Sequence, residues 1–308
     1  MPLVTSKLML EQARQGRYAV GAFNANNLEM VQAIIEAAEE EQAPVIVQLS
    51  EGAIRYGGLE YLAAIVRTGA ELASVPVVLH FDHGASFESN MRCLRAGFTS
   101  LMFDGSAKPF EENVATTALI ARAAHACGIP VEAELGQVLQ SRDNVSSTQV
   151  ASAMTDPTLA GEFVRRSGCD SLAIAVGSVH AMLEREAELD IDRVKACAAA
   201  TSVPLVLHGS SGVKHASVQA AIECGIAKVN VGTYLADGFT EVMRSETANH
   251  PNEPDPRKVL APAREEVKRR VREKIRLFGS SGKAISAQSS RQFPAAASGP
   301  QQAFKPIE

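Results

Sequence analysis

Eight short apolar runs recur along the chain, separated by longer stretches of mixed character. They are Ala19–Asn24, Pro44–Ser50, Pro76–Phe81, Ser100–Asp104, Val131–Gly136, Ser171–Gly177, Pro204–Gly209 and Ala227–Gly232. Near-continuous runs of this length suit strands buried on both faces, as in a parallel sheet. The intervening stretches carry helical spacing. Leu28–Gln42 puts Met30, Ile34, Ala37 and Ala38 on one stripe, and Glu111–Cys127 does the same with Val114, Ala118, Ile120 and Ala121. Val194–Thr201 and Val218–Cys224 are shorter versions, and several of these stretches close on a glycine (Gly97, Gly128, Gly168, Gly225) before the next run begins. Eight strands alternating with helices predict an α/β fold, a (β/α)8 TIM barrel. An open doubly wound sheet is the alternative, but no G-x-G-x-x-G opens a helix after the first strand.

Three segments interrupt the alternation. Gln137–Asp156 is a long polar connection, Arg257–Phe278 is a charged amphipathic helix announced by Asp255-Pro256, and the chain after Gly282 turns rich in Ser, Ala, Gln and Pro. The expectation is one barrel domain over residues 1–284, with the added helix near its C-terminal end, and a mobile, low-complexity tail over 285–308.

Composition narrows the class. Of 308 residues, 46% are hydrophobic, enough for a sizeable core. Lys plus Arg is 30 and Asp plus Glu is 35, a net of -5 with no basic block, which argues against a nucleic-acid partner. The 5 cysteines are widely spaced without a C-x-x-C, as expected in a reducing compartment. No basic leader precedes a long apolar run at the N-terminus, and no window reaches the roughly 20 apolar residues of a spanning helix. The expected setting is the cytoplasm, with no membrane contact.

In such a barrel the active site lies at the C-terminal ends of the strands. His83, His180 and His208 stand at the ends of three different predicted strands at that mouth. Three neutral imidazoles with an open fourth position make a catalytic zinc arrangement; taken singly, each is more often a packed or capping histidine. His80, His125, His215 and His250 lie mid-strand or on helices and loops and read as structural. Asp82 stands beside a candidate ligand, where its charged form is favoured and it can shuttle a proton, unless it is a plain strand-end carboxylate. Asp104, Glu132 and Glu134 form a second acidic group. They are alternative ligands, partners that orient a histidine, or members of a salt-bridged interior. The turns His208–Gly212, with Gly209, Ser210 and Ser211, and Asn230–Thr233, with Gly232, present small residues at helix starts where a phosphate can sit. Lys228 is the lysine inside a predicted strand. It raises a Schiff-base alternative, but strand parity puts it inward and below the mouth, as a structural interior lysine.

These residues, in this order, resemble the class II, metal-dependent ketose-bisphosphate aldolases, over about residues 1–284. The likeness runs through Tyr18–Asn24, Leu79–Gly84, Val131–Gly136, Gly177–His180, Pro204–Gly209, Lys228–Val231, Asp255–Arg257 and Phe278–Lys283. It implies reversible aldol cleavage of a ketose 1,6-bisphosphate, of fructose or tagatose type, to dihydroxyacetone phosphate and an aldehyde such as glyceraldehyde 3-phosphate. It implies Zn2+ on His83, His180 and His208, with Glu134 an alternative ligand and Asp104 nearby. Asp82 becomes the catalytic proton carrier at the aldehyde oxygen, and Asn230 contacts the enediolate. Gly209, Ser211 and Thr233 hold the near phosphate, and Asn24 and Ser50 match further mouth positions. A monovalent cation, Na+ or K+, is implied beside the phosphate. Arg257 matches an arginine that reaches the far phosphate from a neighbouring subunit, which implies a homodimer or homotetramer.

The chain departs from this pattern where the aldehyde half of the substrate would bind. A Gly-Gly pair followed by an acid is replaced by Leu139, Gln140 and Arg142, leaving either Asp143 as the candidate loop acid or Asp82 to make both proton transfers. Ala181 stands where glycine is usual after the histidine, Gly232 where fructose-type enzymes can carry Asp, and Ala236 where a polar side chain is common. Two alternatives therefore remain: another phosphorylated ketose as substrate, or a noncatalytic relative that binds a sugar phosphate.

Overall fold

The computed structural model describes residues 3–139, 146–181 and 187–284. Eight parallel strands, β1 (Val20–Asn24), β2 (Val45–Ser50), β3 (Val77–Asp82), β4 (Leu101–Phe103), β5 (Val131–Leu135), β6 (Ser171–Ile174), β7 (Leu205–Leu207) and β8 (Ile226–Val231), hydrogen-bond in the order β3-β2-β1-β8-β7-β6-β5-β4. Parallel bridges from His80 to Ser100 and from Gly84 to Phe103 join β3 to β4 and close the ring. Around it lie α1 (Ser6–Gly16), α2 (Leu28–Glu40), α3 (Glu51–Gly57), α4 (Leu59–Leu72), α5 (Phe87–Arg95), α6 (Phe110–Ala126), α7 (Ser147–Ala153), α8 (Pro157–Ser167), α9 (Ile191–Ala200), α10 (His215–Glu223), α11 (Thr233–Asn249) and α12 (Pro256–Leu277). No described helix is long and apolar enough to cross a membrane.

The barrel follows from the strand pattern. Outward residues such as Phe23, Val47, Leu79 and Phe103 bury against the helix ring in the main core. Inward residues change character along the barrel axis. At the lower end Val20, Ala22, Ile46 and Val78 form a separate apolar cluster with Met9, Leu10 and Ala13 of α1. Helix α1 thus plugs the N-terminal end, an element the sequence reading did not include. Higher up, the inward positions are polar: Gln48, His80, Glu132 and Lys228, each no more than 1% exposed. The C-terminal end is left for the site.

The expected strand ends shift where the chain must turn. The sixth and seventh runs stop as strands at Ile174 and Leu207 because Gly177 (φ 106°) and Gly209 (φ 65°) take the left-handed conformation. The polar connection after β5 contains a helix of its own, α7, opened by a capping box on Ser146 and Gln149. The charged helix α12 begins as the sequence indicates, with Asp255 accepting from the Arg257 N–H and Pro256 in the first turn. It lies along α2 and α11, tied by Arg272 to Glu40 at 2.6 Å and by Arg270 to the Tyr234 carbonyl at 2.7 Å. The expected tail, 285–308, lies outside the described residues.

Candidate active site

A cavity of about 720 Å3 opens at the C-terminal ends of the strands. Asn24, Ser50, Asp82, His83, Asp104, His180, Ala181, Gly209, Ser210, Ser211, Asn230, Gly232 and Thr233 all line it, together with Asn26, Ser106, Gln137 and Ala236. Glu134 lies buried below the wall, 3.3 Å from His208 Nδ1.

Local backbone geometry explains how neighbours in sequence share one cavity. Successive residues of a strand point to opposite faces, so Asp82 and His83 could not both face inward on an extended chain. His83 takes φ 52°, a left-handed value rare outside glycine, and both side chains reach the mouth. Ala181 (φ 62°) follows His180 and Gly209 (φ 65°) follows His208, so each of the three histidines sits at or beside such a turn. At Gly209 the close approach is also steric: a Cβ there would meet the Val179 carbonyl carbon and oxygen at 3.0 Å.

Hydrogen bonds fix the histidine tautomers. His83 Nδ1 is 2.8 Å from Asp104 Oδ2 and His208 Nε2 is 2.9 Å from Glu132 Oε1. Each of those nitrogens donates to a carboxylate, which leaves His83 Nε2 and His208 Nδ1 as the ring nitrogens available to a proton or a cation. These two atoms face each other at 3.1 Å. Two lone pairs at that separation repel unless something positive lies between or beside them. The three rings cluster, with His83 centroids 5.2 Å from His180 and 4.7 Å from His208, and donor atoms of all three lie within 4.8 Å of one another. Glu134 Oε2 is buried and accepts no hydrogen bond, and a second group, His83, Asp104 and Glu134, meets the same separation. Borderline nitrogen donors, an unpartnered buried carboxylate oxygen and histidines held from behind by carboxylates fit a divalent metal ion.

The electrostatics agree. Burial alone would lower His83, but the Asp82 charge, the Asp104 hydrogen bond and the Glu134 charge outweigh it and hold the imidazole at about 10. That ring calls for positive charge, from a proton or from a cation in its place. Burial, with His83 and His208 alongside, pushes His180 down to about 3, so it presents a neutral ring. Asp82 is buried, which opposes ionisation, yet the His83 and His208 charges keep it below the usual carboxylate range. Its Oδ2 accepts from Asn24 Nδ2 at 2.8 Å and its Oδ1 from Asn230 Nδ2 at 3.2 Å. Burial likewise opposes the charge on Glu132, and Lys228 and the His208 hydrogen bond more than compensate.

Some expected residues are already engaged. Ser210 donates its hydroxyl to the Asn230 carbonyl at 2.5 Å, and Ser50 Oγ accepts from the Ala53 N–H at 3.2 Å as the cap of α3. Ser211 Oγ accepts from the Tyr234 N–H at 3.3 Å. Arg257 does not line this chain's cavity; its side chain is 88% exposed and paired with Asp255. Asp143, with Gln140 and Arg142, lies outside the described residues. Lys228 is buried and paired with Glu132 at 2.8 Å, outside the cavity wall, which leaves it no free amine for a Schiff base. Two functional neighbours escaped the sequence reading. Gln48 donates to Asn24 Oδ1 at 2.7 Å and so aims the amide that holds Asp82, and Ser106 donates to Asp104 Oδ1 at 2.7 Å. Gln48 carries a signal, as the polar residue two before Ser50 inside an apolar run.

Comparison with known proteins places the geometry in context. The family described as fructose-bisphosphate aldolase class-II matches residues 4–283. The fructose-bisphosphate aldolase of Geobacillus stearothermophilus is 47% identical over 287 residues, covering 92% of this chain and 99% of that protein. That of Thermus caldophilus is 42% identical over 305 residues, covering 92% and 100%. Among solved structures, the YdjI aldolase of Escherichia coli K12 superposes with a TM-score of 0.81 at 38% identity, over 92% of this chain and all of that one.

Proposed function

The chain belongs to the class-II fructose-bisphosphate aldolase family, and from that premise we propose the chemistry its site performs. It is a lyase, of a family that works with a bound metal. The proposed reaction is reversible cleavage of fructose 1,6-bisphosphate to dihydroxyacetone phosphate and glyceraldehyde 3-phosphate, with zinc as the metal. The observation that carries this reading is the pair of ring nitrogens, His83 Nε2 and His208 Nδ1, facing at 3.1 Å next to Asp82, with the His180 ring alongside. In this reading His83, His180 and His208 hold the ion, with Glu134 or Asp104 as an alternative oxygen ligand; bound there, it supplies Lewis-acid polarisation of the substrate ketone.

The chain's own residues do the rest. Asp82, held ionised, accepts the C4 hydroxyl proton during cleavage and returns it during condensation. Asn24 and Asn230 fix its carboxylate by one amide donor each, so its orientation is set before substrate arrives. Gly232, the N-cap of α11, has no side chain to cap the helix; Ser211 Oγ takes the Tyr234 N–H, and the start at Gly232 and Thr233 lines the cavity beside Gly209 and Ser211. Backbone N–H groups at the positive end of a helix suit the near phosphate, with a monovalent cation beside it. The far phosphate is assigned to Arg257 reaching across from a second copy, which makes the working enzyme a homodimer or homotetramer. Asp143 is the candidate loop acid. The cysteines are free, in keeping with a cytoplasmic enzyme.

The test is release of dihydroxyacetone phosphate by the purified protein, with fructose and tagatose 1,6-bisphosphate in parallel, before and after chelation and zinc return. Release from the fructose ester that disappears on chelation and returns with zinc is the expected result. Preference for the tagatose ester would reassign the substrate. Zinc-loaded protein that cleaves neither would overturn the catalytic reading.

A further inference from the structure

Directly beneath the site lies a layer of polar residues that the reaction does not touch. Lys228, Glu132 and His80 each sit two residues before a site residue on the same strand, namely Asn230, Glu134 and Asp82. Residues two apart on a strand share a face, so the three side chains point inward one step below the mouth. All are about 1% exposed. Lys228 Nζ is 2.8 Å from Glu132 Oε2, and the other oxygen of the same carboxylate, Oε1, accepts from His208 Nε2 at 2.9 Å. Lys228 Nζ also lies 3.5 Å from His80 Nε2, which is itself 3.9 Å from Glu132 Oε2, and His80 Nδ1 is 2.8 Å from the buried Ser100 hydroxyl.

Burying an ion pair is costly, and well-packed apolar residues of similar volume often serve stability as well or better. Elsewhere the barrel interior uses that option, with Val20, Ala22, Ile46 and Val78. A lysine in this layer therefore calls for a reason other than filling space. The geometry supplies one. Glu132 can aim Oε1 at His208 Nε2 only while its own rotation is arrested, and Lys228 grips the opposite oxygen. With Oε1 fixed, His208 keeps a proton on Nε2 and keeps Nδ1 turned toward His83 Nε2, 3.1 Å away.

We propose that Lys228 is a positioning residue that acts through Glu132 to hold His208 in the tautomer and orientation a metal ligand needs. The proposal rests on the metal reading given above. Outer partners of a metal-binding histidine commonly change metal affinity ten- to hundredfold when removed, and Lys228 is one bond further back on the same line.

The test uses the full chain loaded with Co2+ as a spectroscopic stand-in for zinc. Dissociation constants come from competition with a chelator, and the visible ligand-field bands report the geometry at the ion. Wild type is compared with Lys228→Met, Glu132→Gln and the double variant. Glutamine at 132 can still offer a carbonyl to His208 Nε2, and the double variant buries no unpaired charge. The expected result is a ten- to hundredfold weaker Co2+ affinity and altered bands for Lys228→Met, and a double variant no weaker than the worse single one. Lys228→Met with wild-type affinity and bands, whatever its melting temperature, overturns the proposal. So does a double variant whose loss equals the product of the two single losses. If Lys228→Met does not fold, the double variant against Glu132→Gln decides: equal affinity supports the coupling and a further tenfold loss overturns it. Failure of the underlying metal reading shows elsewhere, in wild type that binds no Co2+ or in His208→Ala that binds it normally, and either result removes the proposal as well.

Discussion

Gly232 shows how closely the residues around Asp82 are fitted. A Cβ at position 232 would meet Asn24 Oδ1 at 2.8 Å, and the amide of that same Asn24 donates to Asp82 at 2.8 Å. Gly232→Ala must push Asn24 aside and loosen the carboxylate without touching any histidine. The expected outcome is a fall in kcat of about tenfold with full metal content, checked by steady-state kinetics beside elemental analysis. Asp82→Asn removes the proton acceptor itself, and kcat should drop by about 10^2 to 10^4, again with metal retained. Loss of metal in either variant would mean that the damage lies at the histidines instead. Ala181 sets a different expectation. Its φ of 62° is strained for a residue with a Cβ, so Ala181→Gly should raise stability by about 1 kcal/mol, read from denaturant unfolding. At this scale the sequence is readable where chemistry and position coincide: a histidine or carboxylate just past an apolar run is a candidate by type and place. Gln48 and Ser106 are harder to see, because each acts on another side chain and not on the cavity, and only the folded register brings them there.

Among the elements, strands and long helices were legible because their own burial writes the pattern. Helices α2, α6 and α12 end within a few residues of the expected limits. Helix α1 was not, since the surface it covers is built from Val20, Ile46 and Val78, strand residues that follow it in sequence. Helix α7 escaped for the opposite reason: with little buried surface it carries no apolar stripe, only its capping box. The plug makes a prediction of its own. Leu10 is 2% exposed within the lower cluster, and Leu10→Ala should cost about 2–5 kcal/mol. The activity of the folded fraction should be unchanged, as measured by unfolding and by kcat per folded molecule. Helix α12 yields a pH prediction. The Arg269 hydrogen bond, against the cost of burial and together with Arg270, holds Glu266 at about 2. Its folded pKa lies below the unfolded value of about 4.3. Its stabilising contribution is therefore fully present above that unfolded value and is lost as pH falls through about 2. Glu266→Gln should melt below wild type at pH 7, and the gap should close progressively between about pH 5 and 2.

The whole molecule is a closed ring of strands with one end filled by apolar side chains and the other by charge. The ring itself was visible in the sequence as eight runs in alternation, and the histidine cluster at its mouth as three histidines at the ends of three of those runs. The aldehyde half was less legible, because Leu139, Ala181 and Gly232 depart from the family pattern there and Arg257 lies away from this chain's cavity. Charge at the open end links the site to the stability of the fold. Asp82, Asp104, Glu132 and Glu134 crowd the upper barrel with Lys228 as their one buried lysine, and His83 Nε2 faces His208 Nδ1 at 3.1 Å, a contact that needs a positive charge from a proton or a cation. A divalent cation relieves both strains in the folded chain and finds no assembled site in the unfolded one. Binding to the folded state alone adds stability as RT ln(1 + [L]/Kd), about 2.7 kcal/mol at a hundredfold excess over Kd. Chelation should therefore lower the melting temperature and abolish cleavage together, and zinc should restore both in the same titration. His180→Ala should melt close to the chelated wild type and respond weakly to added zinc. A melting temperature that ignores the chelator while activity disappears would separate the metal from the folded framework, and would place its binding at some point other than these three histidines.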